Sequence, residues 1–257
     1  MTTARRRPGE FLLSLAAPLV LLATWEWLAR ADIINPVYWP PPTTVMETAR
    51  DQIVNGTLVA DTRISLFRVL AGFVLGAVPG VVLGLAMGLF WPIRLLLMPI
   101  ASAVYAVPKI ALVPLALITF GLGETSKLFL VAISIVFVVV LSTMGGVLSL
   151  DPAYRDVARD FRASRWQVFT TVALPGTLPA IFTGFRLALG FALVVIVGTE
   201  FVSPGDGGIG DLIWESWQVL RIRVMFVGLV VTGLMGWGLT AALDIIERLV
   251  VPWEARR

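Results

Sequence analysis

Six apolar runs, each near the roughly 20 residues a helix needs to cross a hydrocarbon core, divide the sequence. They are Phe11–Leu28, Ile64–Leu89, Leu95–Phe120, Leu128–Leu150, Leu178–Val202 and Val224–Leu243. Hydrophobic residues make up 58% of the 257 and charged residues 14%, where a soluble domain carries about a quarter charged. A water-soluble fold of this size has too little interior to hide that much apolar surface, so the solvent is a bilayer. The long alternating pattern of a membrane β-barrel is absent from the sequence. The expected class is an all-α integral membrane protein with about six transmembrane helices, forming a single domain over residues 1–257.

The first run imitates a cleavable signal peptide, with Arg5, Arg6 and Arg7 ahead of it and Ala29-Arg30-Ala31 behind. Trp25, Glu26 and Trp27 just before that site argue instead for a retained helix. With the N-terminus inside, the cytoplasmic side collects Arg5, Arg6, Arg7, Arg94, Arg155, Arg159, Arg162, Arg165, Arg248, Arg256 and Arg257. The external side collects Arg30, Arg50, Arg63, Arg68, Lys127, Arg221 and Arg223. The excess of cytoplasmic base favours this orientation. Both termini and the segment 151–175 are then cytoplasmic, while 31–63 and 203–223 face outward.

The chain has no Cys and no His, which removes disulfides, thiolate chemistry, imidazole acid–base chemistry and the usual zinc sites. A net charge of +3, with bases scattered at the ends of apolar runs, gives no basic patch for nucleic acid. Gly205-Asp206-Gly207-Gly208-Ile209-Gly210 satisfies G-x-G-x-x-G, but that motif needs a strand before it and an acid about twenty residues on. Here it follows an apolar span, and Val230 stands where the acid belongs, so it reads as a flexible external loop. No G-x-x-x-x-G-K-[ST] phosphate loop occurs either, so the chain is expected to bind neither cofactor nor ATP through that motif.

Gly72, Gly76, Gly80, Gly84 and Gly88 recur every four residues in the second run, placing them on one slowly drifting stripe where another helix can approach. Either tight static packing or a sliding surface would use such a stripe. Pro79, Pro108 and Pro114 are expected to kink their helices.

Between the fourth and fifth runs lies a dense charged island, Asp151–Pro175. Asp151 followed by Pro152 is a strong helix start, with an acceptor at N-cap and proline at N1. Tyr154, Val157, Ala158 and Phe161 then form one apolar face at i, i+3, i+4 and i+7. Ser164 and Gln167 have capping-box spacing for a second short helix through Trp166, expected to end before Pro175. The apolar face has two uses open to it: burial against the protein's own helices, or docking into a groove on a cytoplasmic partner.

The island resembles the cytoplasmic loop of the permeases of bacterial ABC importers served by binding proteins. Its nearest likeness is the nitrate, sulfonate, taurine and bicarbonate branch. That loop reads E-A-A, three residues, Gly, nine residues, I-x-L-P. The chain reads Asp156-Val157-Ala158, three residues, Arg162, nine residues, Val172-Ala173-Leu174-Pro175. Further similar positions are Pro40-Pro41-Pro42-Thr43, Ser65-Leu66-Phe67-Arg68, Val107-Pro108-Lys109-Ile110-Ala111, Phe120-Gly121-Leu122-Gly123, Thr183-Gly184-Phe185-Arg186 and Thr199-Glu200-Phe201.

The resemblance implies a type I ABC importer permease in the bacterial inner membrane. Two copies, as a homodimer, would form the pathway. Two copies of a cytoplasmic P-loop ATPase would carry the ATP and Mg, and an extracytoplasmic solute-binding protein would deliver the substrate. Tyr154, Asp156, Val157, Ala158, Arg159, Phe161, Arg162, Ala163, Ser164 and Trp166 would form the coupling helix that meets the ATPase. Arg162 stands where the family motif has glycine. If that position is left-handed, a side chain there costs roughly 1–2 kcal/mol.

Charges inside apolar runs are functional candidates by default. Pro108, Lys109, Arg186 and Glu200 are the pathway candidates, with Lys109 placed to attract an anion. The plainer reading of Lys109 is snorkelling, or capping of carbonyls freed at Pro108. Glu200 and Asp244 lie near span ends, where contact with water is the simple expectation. A secondary transporter is the rival function, although no internal repeat supports it. A membrane-embedded enzyme lacks a catalytic set, because the acids are dispersed.

Overall fold

The computed structural model describes residues 8–203 and 205–253, with side chains from residue 16 onward except those of Arg155 and Arg159. The basic residues Arg5, Arg6, Arg7, Arg256 and Arg257, counted above for orientation, lie outside the described residues. Every regular element among those described is helical. The helices are α1 (Pro8–Arg30), α2 (Pro42–Val54), α3 (Thr57–Leu89), α4 (Trp91–Ala106), α5 (Val113–Phe120) and α6 (Glu124–Leu148). There follow α7 (Pro152–Asp160), α8 (Arg165–Val168), α9 (Leu174–Val202), α10 (Ile209–Gln218) and α11 (Ile222–Val250).

Five of the six apolar runs fall within single helices, apart from their end residues. Among the described residues α3, α6, the stretch Arg165–Val202 and α11 are each long and apolar enough to cross a membrane by themselves. The third run differs from its expectation as one kinked helix. It is a broken pair, with α4 and the stretch Lys109–Phe120 bent by 91° at Val107-Pro108. Pro108 has no N–H to continue the α4 ladder and pushes Val107 into extended geometry (ψ 127°). Pro114 lies at the start of α5, where a missing N–H is tolerated.

A second difference concerns Pro175, expected to end the short helix of the island. The chain instead passes from α8 through a π-helical turn, Phe169–Ala173, straight into α9. A wider i→i+5 turn offsets the carbonyls that would clash with the proline ring, so the helix continues.

The chain divides into two compact units. One takes the chain through Ser65 together with Glu200–Leu234, and the other takes Leu66–Thr199 with Met235–Arg256. In the second unit the glycine stripe of α3 lies against α6. A Cβ at Gly72 would stand 2.6 Å from Val131, at Gly76 2.6 Å from the Ala132 carbonyl oxygen, and at Gly88 2.5 Å from Val147. The glycines therefore let α3 and α6 pack closely. Beside this seam Val69, Leu130, Val131, Ile135 and Val139 join Phe182, Ala188, Leu189, Ala192 and Ile196 of α9 in one core. Val78, Leu96, Ile118 and Val194 are exposed on the outer faces of their helices, a surface suited to lipid.

In the first unit Glu26 of α1 caps α2. Its carboxylate accepts from the Thr43 N–H at 3.0 Å and the Thr43 hydroxyl at 2.8 Å, satisfying a donor that Pro41 at N-cap has no side-chain acceptor to meet. Trp25 and Trp39 both pack on Phe226, with ring centroids 5.5 and 5.9 Å apart.

Candidate functional site

The charged island folds as its residues dictate. Asp151 Oδ1 accepts the Ala153 N–H at 2.9 Å with Pro152 at the first helical position, which starts α7. The turn after α7 closes when the Ala163 N–H donates to the Ala158 carbonyl at 2.9 Å. That bond is the long one of a Schellman motif, whose C′ residue is left-handed. Arg162 occupies the position with φ +50°. The glycine of the family motif thus matches a real conformational demand, which this chain meets with an arginine. Next, Ser164 and Gln167 form both bonds of a capping box, at 3.3 and 2.8 Å, and start α8.

Of the apolar face only Ala158 turns inward. Tyr154 is 52% exposed, Val157 53%, Phe161 82% and Trp166 71%. Burial against the chain's own helices is therefore not what this face does. Asp156, Arg162 and Ser164 are exposed and Ala163 is half-buried, while the Arg159 side chain lies outside the described residues. The result is an aromatic and apolar patch on a polar loop too short to enter the membrane.

The four pathway candidates separate into different environments. The Lys109 ammonium donates to the carbonyls of Val104, Val107 and Tyr105 at 2.6, 2.7 and 3.1 Å, gathering the oxygens left open where α4 ends at Pro108. Arg186 on α9 pairs with two acids of α11, Asp244 at 2.8 Å and Glu247. Asp244 is therefore an ion-pair partner of an intramembrane arginine rather than only a solvated span end. Glu200, expected to meet water, is fully buried. It accepts from the Ser65 hydroxyl at 2.8 Å and from the Gly210 N–H at 2.8 Å.

Around Glu200 the glycine-rich loop is tied down, in contrast to its expectation as flexible. Gly208 donates to Asp61 at 3.0 Å, Ile209 to the Ser65 hydroxyl at 2.8 Å, and Gly205 and Gly207 to Asp211 at 3.0 and 3.1 Å. The glycines bring backbone N–H groups to the chain's own carboxylates, which accounts for the motif without a nucleotide. Sequence reasoning missed Asp61, Asp211 and the bidentate pair of buried Arg68 with Glu124, in which Nε donates to Oε2 at 2.9 Å and a terminal guanidinium nitrogen to Oε1 at 2.5 Å. The rule that intramembrane charges pair with one another points to Arg186 with Asp244 and Glu247, which stand i, i+3 on one helix. No such local signal joins Arg68 to Glu124.

Comparison with known proteins places this architecture. The family described as "Binding-protein-dependent transport system inner membrane component" matches residues 80–256. The taurine transport system permease protein TauC of Escherichia coli is 32% identical over 95% of this chain and 90% of its own length. The nitrate import permease protein NrtB of Synechocystis sp. is 31% identical over 92% of this chain and 88% of its own. The solved MetNI methionine ABC transporter, in inward-facing conformations, superimposes with a TM-score of 0.67 at 17% identity. It covers 77% of this chain and 98% of the compared one, and so shares the type I importer permease fold. With six apolar helical runs, the importer-type loop between the fourth and fifth, and a family match over most of its length, the chain belongs to the inner-membrane permease components of binding-protein-dependent ABC transport systems.

Proposed function

We propose that this permease forms the translocation pathway of an ATP-driven importer for a small oxyanion-bearing solute of the nitrate, sulfonate, taurine or bicarbonate class. The observation that carries the reading is the exposed set Tyr154, Val157, Phe161 and Trp166 on the capped loop 151–166. A helix pair built with an N-cap, a Schellman turn and a capping box, yet leaving three aromatic side chains in water, is a preformed plug for a groove on another protein. The partner that fits is a cytoplasmic P-loop ATPase carrying ATP and Mg, one on each of two paired permease copies. Both termini and this loop then lie in the cytoplasm, and the segments 31–63 and 203–223 face the solute-binding protein. The solute class rests on the relatives named for taurine and nitrate.

The test is capture of the tagged chain from its native membrane, followed by mass spectrometry. A P-loop ATPase should come with it and be lost when Phe161 and Trp166 are both changed to Ala. A chain that emerges alone, and still drives uptake under an ion gradient without ATP, would instead be a secondary transporter.

A further inference from the structure

The break at Val107-Pro108 sits in the middle of an apolar run, where lipid offers its backbone nothing. Non-helical backbone at membrane depth persists only where protein buries it or water reaches it. This stretch is not buried by its own chain. Tyr105 is 47% exposed, Val107 38% and Ile110 58%, although Ile110 also reaches α9, where a Cβ at Gly198 would lie 2.8 Å from its Cδ1.

The charge at the break is the second observation. Three carbonyls take the protons of the Lys109 ammonium, and they supply dipoles but no negative charge. Arg68 and Arg186, in the neighbouring spans, each face carboxylates. Among the described residues no carboxylate lies within ion-pair distance of Lys109. A fixed cation at membrane depth without an acid is stabilised by water and by passing anions, and it is held in place here by the helix end it caps.

We infer that the broken span around Val107–Leu112 lines a water-filled conduit, and that Lys109 makes this conduit selective for anions. The inference rests on the permease reading only in that a solute crosses this chain, and it is independent of what drives transport.

The absence of cysteine from the sequence gives a direct test in membranes holding the full chain with its partners. Ile110→Cys is exposed to two water-soluble methanethiosulfonates, the anionic ethylsulfonate and the cationic ethyltrimethylammonium. Rates are normalised to those of a small free thiol. The anionic reagent should react faster by about tenfold, as expected for one unit charge within several ångströms in a watery path. Lys109→Met in the same background should bring the ratio near one, and Lys109→Arg should keep it. Taking the ratio removes any influence of Lys109 on thiolate content, which speeds both reagents alike.

No reaction at Ile110→Cys with either reagent, with and without ATP, would overturn the conduit. Reaction without an anion preference, or with one that survives Lys109→Met, would overturn the role of Lys109. Neither result bears on the ATPase partner, whose capture is a separate measurement.

Discussion

Gly208 passes so close to the Glu200 carboxylate that a Cβ at position 208 would lie 2.4 Å from Oε1. The backbone there has φ +115°, a region that side chains avoid. Gly208→Ala should therefore destabilise the loop by more than the roughly 1–2 kcal/mol of left-handed strain alone. Glu200→Ala should act in the same direction by orphaning Ser65 and the Gly210 N–H. Limited proteolysis within 203–211, faster in both variants than in the parent, would check this. Equal rates would refute it.

The seam between α3 and α6 predicts opposite signs for one chemical change. Gly76→Ala pushes a methyl into the Ala132 carbonyl, 2.6 Å away, and should cost about 1–3 kcal/mol by overpacking. Gly145→Ala, in α6 with nothing within 4 Å of the added carbon, should gain up to about 1 kcal/mol of helix propensity. Thermal unfolding of the two variants in the same detergent separates them. A stabilised Gly76→Ala would mean that the helices part more easily than this contact allows.

Arg162 holds a glycine's conformation at φ +50°. Arg162→Gly should relieve about 1 kcal/mol and slow hydrogen exchange of the Ala163 amide that closes the turn. If the arginine also reaches a carboxylate on the ATPase, the same variant should bind the partner more weakly. Unchanged affinity would remove that second role and leave the strain without a return.

Arg68 is buried and its guanidinium is met by Glu124, itself about half exposed. Glu124→Gln leaves a cation facing a neutral amide and should cost on the order of 2 kcal/mol, below the 3–5 typical of fully buried pairs because water reaches the acid. Arg68→Met in the same chain should restore part of that loss. Unfolding midpoints of the two single variants and the double variant close the cycle.

Apolar length marked where the spans lie, because a bilayer accepts few alternatives, but among the described residues four helices and one bent pair, not six helices, are long and apolar enough to cross. Local capping chemistry fixed the island: Asp151, Pro152, Ser164 and Gln167 act within three or four residues of themselves, so spacing alone predicts what they do. The glycine stripe announced a close partner helix for the same reason.

What spacing cannot carry is which distant groups meet, or whether a face finds a partner inside the chain. Glu200 with Ser65, Arg68 with Glu124, and Arg186 with Asp244 are contacts across 135, 56 and 58 residues, set by how helices pack rather than by local propensity. The sharp break at Pro108 and the unbroken passage through Pro175 make the same point. A proline removes one donor in either place, and the surrounding helices decide whether the chain bends or a wider turn absorbs the loss. The sequence by itself determined a membrane-spanning helical chain with a capped polar loop. Only the tertiary structure decided which charges are neutralised, which aromatic face is left exposed, and that among the described residues Lys109 has no acid beside it, because each of these is a balance struck between segments far apart in the chain.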